Sequence, residues 1–127
     1  MQTFNEYQEF TKSKAVYNES VWLHHTHRET NPADIVVMNY MYPLLALGEE
    51  AGEVQGKVAK FIRKSKNEVN IPQLREDVKK ELGDLLYQVS ECARQFGFTL
   101  QEVIDSNVAK LDDRQARGVL IGVGDDR

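Results

Sequence analysis

A chain of 127 residues, 41% apolar and 28% charged, suits one soluble domain that needs neither disulfides nor structural zinc to hold its core. Its formal charge of −4 argues against binding to DNA, RNA or an anionic membrane. The lone Cys92 excludes an intramolecular disulfide and, with Val89, Ala93 and Phe96 at helical spacing around it, reads as a buried inert thiol in a reducing compartment.

Residues 1–6 carry neither a basic segment nor an apolar run, so no signal peptide is expected. Phe4, Tyr7, Phe10, Lys14 and Tyr17 recur at intervals of three and four, predicting a first helix over residues 2–19. Residues 20–33 are mixed, with Trp22, three histidines and an Asn31-Pro32 break that suits a loop before a helix start. Residues 34–43 are mostly apolar and could form a short helix that Pro43 ends or kinks.

A stronger helical pattern follows over residues 44–64, with Leu47, Ala51, Val54, Val58 and Phe61 in one stripe and Lys57, Lys60, Arg63 and Lys64 crowding its end. After a polar connector, Pro72 fits the first turn of a helix that runs to about Gln95. Its expected apolar stripe is Leu74, Val78, Leu82, Leu85, Val89, Ala93 and Phe96, with Gly97 as the closing residue. Thr99 and Glu102 form a capping box for a last helix bearing Val103, Ile104, Val108 and Leu111. Residues 118–127 lack periodicity. No stretch reaches the ~20 apolar residues of a membrane span, and no repeat or hairpin intervenes. The expected fold is an all-α bundle of about four main helices, one domain over residues 1–127, in a cytoplasmic protein.

Two acidic patterns stand out on the two central helices. Glu49-Glu50-Ala51-Gly52-Glu53 is followed, 28 residues after its last glutamate, by Glu81-Leu82-Gly83-Asp84. Side chains three apart share a helix face, so Glu50 pairs with Glu53 and Glu81 with Asp84 beside the apolar stripes. If the helices pack antiparallel through those stripes, the two acidic rims meet. Four facing carboxylates repel one another unless a cation lies between them, and an all-oxygen set suits a hard ion such as Mg²⁺ when phosphates share the coordination. Gly52 and Gly83, each inside an acidic pair, would let a helix or ligand come close. A plainer reading makes Glu53–Lys57 and Lys80–Asp84 simple i,i+4 ion pairs on a solvated face. A di-iron carboxylate bundle would want an E-x-x-H motif, which neither pattern supplies.

These residues resemble a known family. The run Tyr42-Pro43-Leu44-Leu45-Ala46-Leu47-Gly48-Glu49-Glu50-Ala51-Gly52-Glu53-Val54, followed by Glu81-Leu82-Gly83-Asp84-Leu85-Leu86, is similar to the EExxE and ExxD signature of the all-α MazG-like nucleoside triphosphate pyrophosphohydrolases. Asn5-Glu6-Tyr7-Gln8 is similar to the family's first helix, and residues 110–118 and 122–127 resemble the tail of a small phage and bacterial branch. The resemblance implies hydrolysis of the α–β phosphoanhydride of a (deoxy)nucleoside triphosphate to monophosphate and pyrophosphate. It implies Glu50, Glu53, Glu81 and Asp84 as ligands of Mg²⁺, with Mn²⁺ as a substitute. Glu49, matching the first glutamate of EExxE, is cast as the group that orients or deprotonates the attacking water.

Cationic partners for the phosphates are then sought in Lys57, Lys60, Lys110 and Arg114, with Asn107 beside the last two. Trp22 or His25 could stack on or hydrogen-bond the base. The resemblance also implies a homo-oligomer, a homodimer or homotetramer, which the apolar surface of four short helices makes physically reasonable. The competing reading is a non-catalytic helical interaction module that retains an acidic metal-binding surface.

Overall fold

The computed structural model describes residues 2–15, 32–64 and 70–121, with residues 32–40 described by their backbone alone. Among these residues the chain is entirely helical: α1 (Phe4–Lys14), α2 (Pro32–Lys64), α3 (Ile71–Gln95) and α4 (Leu100–Ala116).

Local chemistry accounts for most of the helix ends. Thr3 caps α1 and Thr99 caps α4, each in a reciprocal capping box with the glutamate three residues on, Glu6 and Glu102. Asn70 caps α3 through a 2.9 Å bond from the Gln73 N–H to its side-chain oxygen, with Pro72 in the first turn. At the far end of α3, Gly97 takes φ +78°, and the Phe98 N–H reaches back 2.8 Å to the Ala93 carbonyl. Gly118 closes α4 in the same manner, with Val119 bonded to Arg114.

Two expectations change. α2 runs unbroken through Pro43, which is fully buried inside it. Proline removes one intrahelical bond and costs about 3 kcal/mol in an isolated helix; here packing against α3 offsets that loss, so the two helices expected on either side are one. The first helix stops at Lys14, where Ala15 turns to an extended backbone, rather than continuing to residue 19. Residues 16–31, 65–69 and 122–127, including the expected loop with Trp22 and the histidines and the glycine-containing tail, lie outside the described residues.

α2 and α3 form the main pair. Lys57 of α2 meets Glu81 of α3, and a shared cavity joins Lys64 with Asn70 and Gln73, so the two helices run in opposite directions. α1 lies across α3 through a fully buried pair, Thr11 Oγ1 and Ser90 Oγ, 2.8 Å apart. The Thr11 hydroxyl donates to the Gln8 carbonyl at 3.0 Å, which leaves Ser90 as the donor between the two side chains. Gln8 then clips the α3–α4 turn, its amide nitrogen donating to the Phe98 carbonyl at 3.0 Å and its oxygen accepting from the Leu100 N–H at 3.2 Å. Removing this clip strands two backbone groups next to the buried Leu100. Gln8→Ala is expected to cost about 1–3 kcal/mol, read as a lowered thermal midpoint at unchanged helix content; an unchanged midpoint would contradict the assigned role.

The interior is less apolar than the stripes suggest. Glu81, Gln88, Ser90 and Glu91 are buried on α3, whereas Leu82, expected in its core stripe, is half exposed. Large apolar side chains also face outward on α2, with Leu45 70% and Ile62 65% exposed.

Candidate metal centre

Antiparallel pairing sets the middle of α2 against the middle of α3, and the two acidic patterns meet there. One carboxylate oxygen from each of Glu50, Glu53 and Glu81 lies within 4.8 Å of the other two. Glu81, only 8% exposed, is held by Lys57, whose Nζ lies 2.8 Å from its Oε1. The lysine does not take Glu53 as an i,i+4 partner; it crosses to the facing helix. This contact keeps the Glu81 carboxyl below the usual glutamate range and raises the Lys57 ammonium above its own. Glu53 brings a carboxylate oxygen within 4.8 Å of Glu81 as well.

Glu50 is shifted the other way. Partial burial is the main cause, and the charges of Asp84, Glu53, Glu49 and Glu81 add to it. Asp84 therefore belongs to the same electrostatic neighbourhood, although it is exposed and outside the close group of three oxygens. Glu49 sits exposed on the rim beside Glu50. The arrangement concentrates negative charge on one face and leaves it partly open to solvent.

A Cβ placed on Gly52 or Gly83 meets no atom within 4 Å. The expectation that these glycines allow close helix approach is thus corrected: both face open space. Gly83→Ala should stabilise α3 by up to ~1 kcal/mol, measured as a raised thermal midpoint. A fall in the midpoint would show a steric demand at that position.

The remaining candidates divide among three places. Lys57 and Lys60 line a cavity of about 310 Å³ with Lys64, Asn70, Gln73 and Asp77, at the end of the α2–α3 seam beyond Glu81. Asn107 and Lys110 line a separate cavity of about 580 Å³ with Phe98, Glu102, Val103 and Ser106. Arg114 is buried in α4, only 5% exposed, while α4 packs on α1 and α3. Trp22 and His25 lie outside the described residues.

Past Asp84, where Tyr87 reads as a pocket-lining or a core residue, sequence reasoning overlooks Gln88 and Glu91, both buried on α3. Tyr7 of α1 feels the Asp84 charge, and Tyr87 of α3 feels Glu91, Tyr42, Arg94 and Tyr7; burial is the larger cause in both, and each phenol is raised. Helical spacing puts positions 84, 88 and 91 on one face, but nothing in the sequence marks that face as buried.

The model of the MazG nucleotide pyrophosphohydrolase domain matches residues 41–119, a span that contains both acidic patterns. "Gene 37 protein" of Mycobacterium phage L5 is 40% identical over 86 residues, covering 68% of this chain and 75% of that protein. No solved structure matches the chain. With the match spanning α2 from Met41, all of α3 and all of α4, the chain belongs to the MazG nucleotide pyrophosphohydrolase domain family.

Proposed function

We propose that the protein hydrolyses (deoxy)nucleoside triphosphates to the monophosphate and pyrophosphate in a divalent-metal-dependent reaction, serving nucleotide-pool control or sanitation. The observation that carries this reading is the group of three carboxylates from two helices, inside a domain of this family. The donor set fits Mg²⁺: it is all oxygen, one carboxylate from each of three glutamates on two facing helices, with the three oxygens within 4.8 Å of one another.

Glu50, Glu53, Glu81 and Asp84 would hold the ion, with Mn²⁺ as a workable substitute. When bound, it supplies charge neutralisation of the triphosphate, polarisation of the phosphoryl group and a water of lowered pKa. The chain's own residues do the positioning. Glu49, exposed at the rim, accepts the proton of the water that attacks the α-phosphorus; the α–β bridge oxygen leaves with pyrophosphate. Lys57 and Lys60 offset the charge of the phosphates, and Lys110, Asn107 and Arg114 are assigned the same role from the last helix. Holding water and phosphorus in line is where most of the rate would come from. Residues 1–40 are taken as part of the same domain, because α1 seals α3 through Thr11 and Ser90.

A homodimer or homotetramer completes the proposal. The support is the apolar surface of α2 and α3, where Met41, Tyr42, Leu44, Leu45, Leu82 and Leu86 are all exposed. Leu45→Glu is expected to shift the sedimentation coefficient to that of a monomer; an unchanged monomeric value for both proteins would contradict assembly through this face.

The activity is tested with a panel of ribo- and deoxyribonucleoside triphosphates, with and without Mg²⁺, scoring pyrophosphate against orthophosphate. Metal-dependent pyrophosphate release from at least one nucleotide is expected. No release from any of them favours the non-catalytic helical module.

A further inference from the structure

Gln88 is an anomaly for a helix face that could have carried leucine. It is only 7% exposed, and its amide oxygen is buried with no hydrogen-bond partner among the described residues. Stranding such an oxygen carries a desolvation cost with no hydrogen bond to offset it, so its presence calls for a reason. Its position supplies one. Gln88 follows Asp84 by one turn and Glu81 by two, on the same face of α3. The rise of about 1.5 Å per residue places its Cα about 6 Å beyond Asp84. Helical side chains lean toward the N-terminus, so the amide leans back over the turn that carries Asp84.

The surroundings differ sharply in the two directions along the α2–α3 seam. Beyond Glu81 lies the cavity lined by Lys57, Lys60 and Lys64, cationic and open. Beyond Asp84 lie Gln88 and the half-buried Tyr87, with Tyr42 of α2 and Tyr7 of α1 near enough to act on the Tyr87 phenol. One end suits a phosphate chain; the other offers aromatic rings and a buried amide from three helices.

We propose that the nucleotide lies along this seam with its phosphates toward Lys60 and Lys64 and its nucleoside toward Tyr87, and that Gln88 selects the base by accepting a hydrogen bond from an N–H on the base edge. This rests on the pyrophosphohydrolase reading and deepens it with an orientation and a specificity-determining residue. A buried acceptor rejects a base edge that leaves it unpaired, which is the strongest form of discrimination available to a small pocket. Replacing the amide by a carboxylate turns its donor into a second acceptor oxygen, which favours guanine, whose edge offers two adjacent N–H donors.

The test uses binding, so it does not depend on turnover. Calorimetry measures the affinities of AMP, CMP, GMP, UMP, their deoxy forms and pyrophosphate for the wild type, Gln88→Leu, Gln88→Glu and the Lys60→Ala/Lys64→Ala double variant. Gln88→Leu is expected to shrink the spread of monophosphate affinities by at least about tenfold while leaving pyrophosphate unchanged. Gln88→Glu should move the preference toward GMP and serves as the second variant should the leucine form not fold. The lysine double variant should weaken pyrophosphate and spare the monophosphates. The proposal is overturned if the Gln88 variants change every base by the same factor, if they weaken pyrophosphate instead, or if the wild type binds no monophosphate. A wild type that binds monophosphates with a Gln88-dependent preference but releases no pyrophosphate would sink the hydrolase reading and leave this one standing.

Discussion

Glu81→Gln is expected to lower pyrophosphate release by about 10²–10³-fold, the range seen when one preorganised charge-stabilising group is removed from an active site. The change is nearly isosteric, so the packing of α3 against α2 should survive. It removes the anion that Lys57 contacts at 2.8 Å and one of three oxygens grouped within 4.8 Å. Far-UV circular dichroism should match the wild type, which separates loss of chemistry from loss of fold. Glu76→Gln makes the control: Glu76 lies on the same helix but, among the described residues, pairs only with the exposed Lys79, and its loss should leave turnover within twofold of wild type, as for an exposed ion pair of about 0–1 kcal/mol. Equal activity of Glu81→Gln and wild type would mean that the cluster is not the centre of the reaction.

The second large effect concerns Lys57, whose ammonium neutralises part of the acidic group. Lys57→Met keeps the aliphatic stem and deletes the charge, leaving the nearly buried Glu81 facing Glu53 and Glu50 with no cation. Breaking a fully buried ion pair by removing one partner costs about 3–5 kcal/mol. The Lys57 side chain is 32% exposed, so solvent screening makes the expected loss smaller than for a fully buried pair. Mg²⁺ should restore that loss, since an ion that binds only the folded state stabilises it in proportion to the logarithm of its concentration. The thermal midpoint of Lys57→Met is therefore expected below that of wild type in chelator and to rise more steeply with added Mg²⁺. A variant with wild-type stability in chelator, or one indifferent to Mg²⁺, would contradict the electrostatic account of the site.

Much of this architecture was legible because it is written in local chemistry. Thr99 and Glu102 announced the start of α4, Pro72 the first turn of α3, and Gly97 its end. The meeting of the acidic patterns followed from helical period and a short connector, both local properties. What escaped depends on partners distant in the chain. Pro43 reads as a breaker until α3 is present to hold α2 together on both sides of it. Leu82 reads as core, yet its side of α3 is exposed while Glu81 next to it is buried. The choice of Lys57 between Glu53 on its own helix and Glu81 on the facing one is settled by the distance between helices, which no periodicity encodes. Gln88 was invisible for the same reason: a glutamine at helical spacing marks nothing until its burial and its unpartnered oxygen are seen.

The central claim is that water attacks the α-phosphorus of a nucleoside triphosphate held at the carboxylate cluster. Turnover in isotopically labelled water, with both products analysed by mass spectrometry, tests it most directly. The account predicts one labelled oxygen in the nucleoside monophosphate and none in the released pyrophosphate. Label in the pyrophosphate, or orthophosphate as the first product, would place the attack on another phosphorus and contradict it.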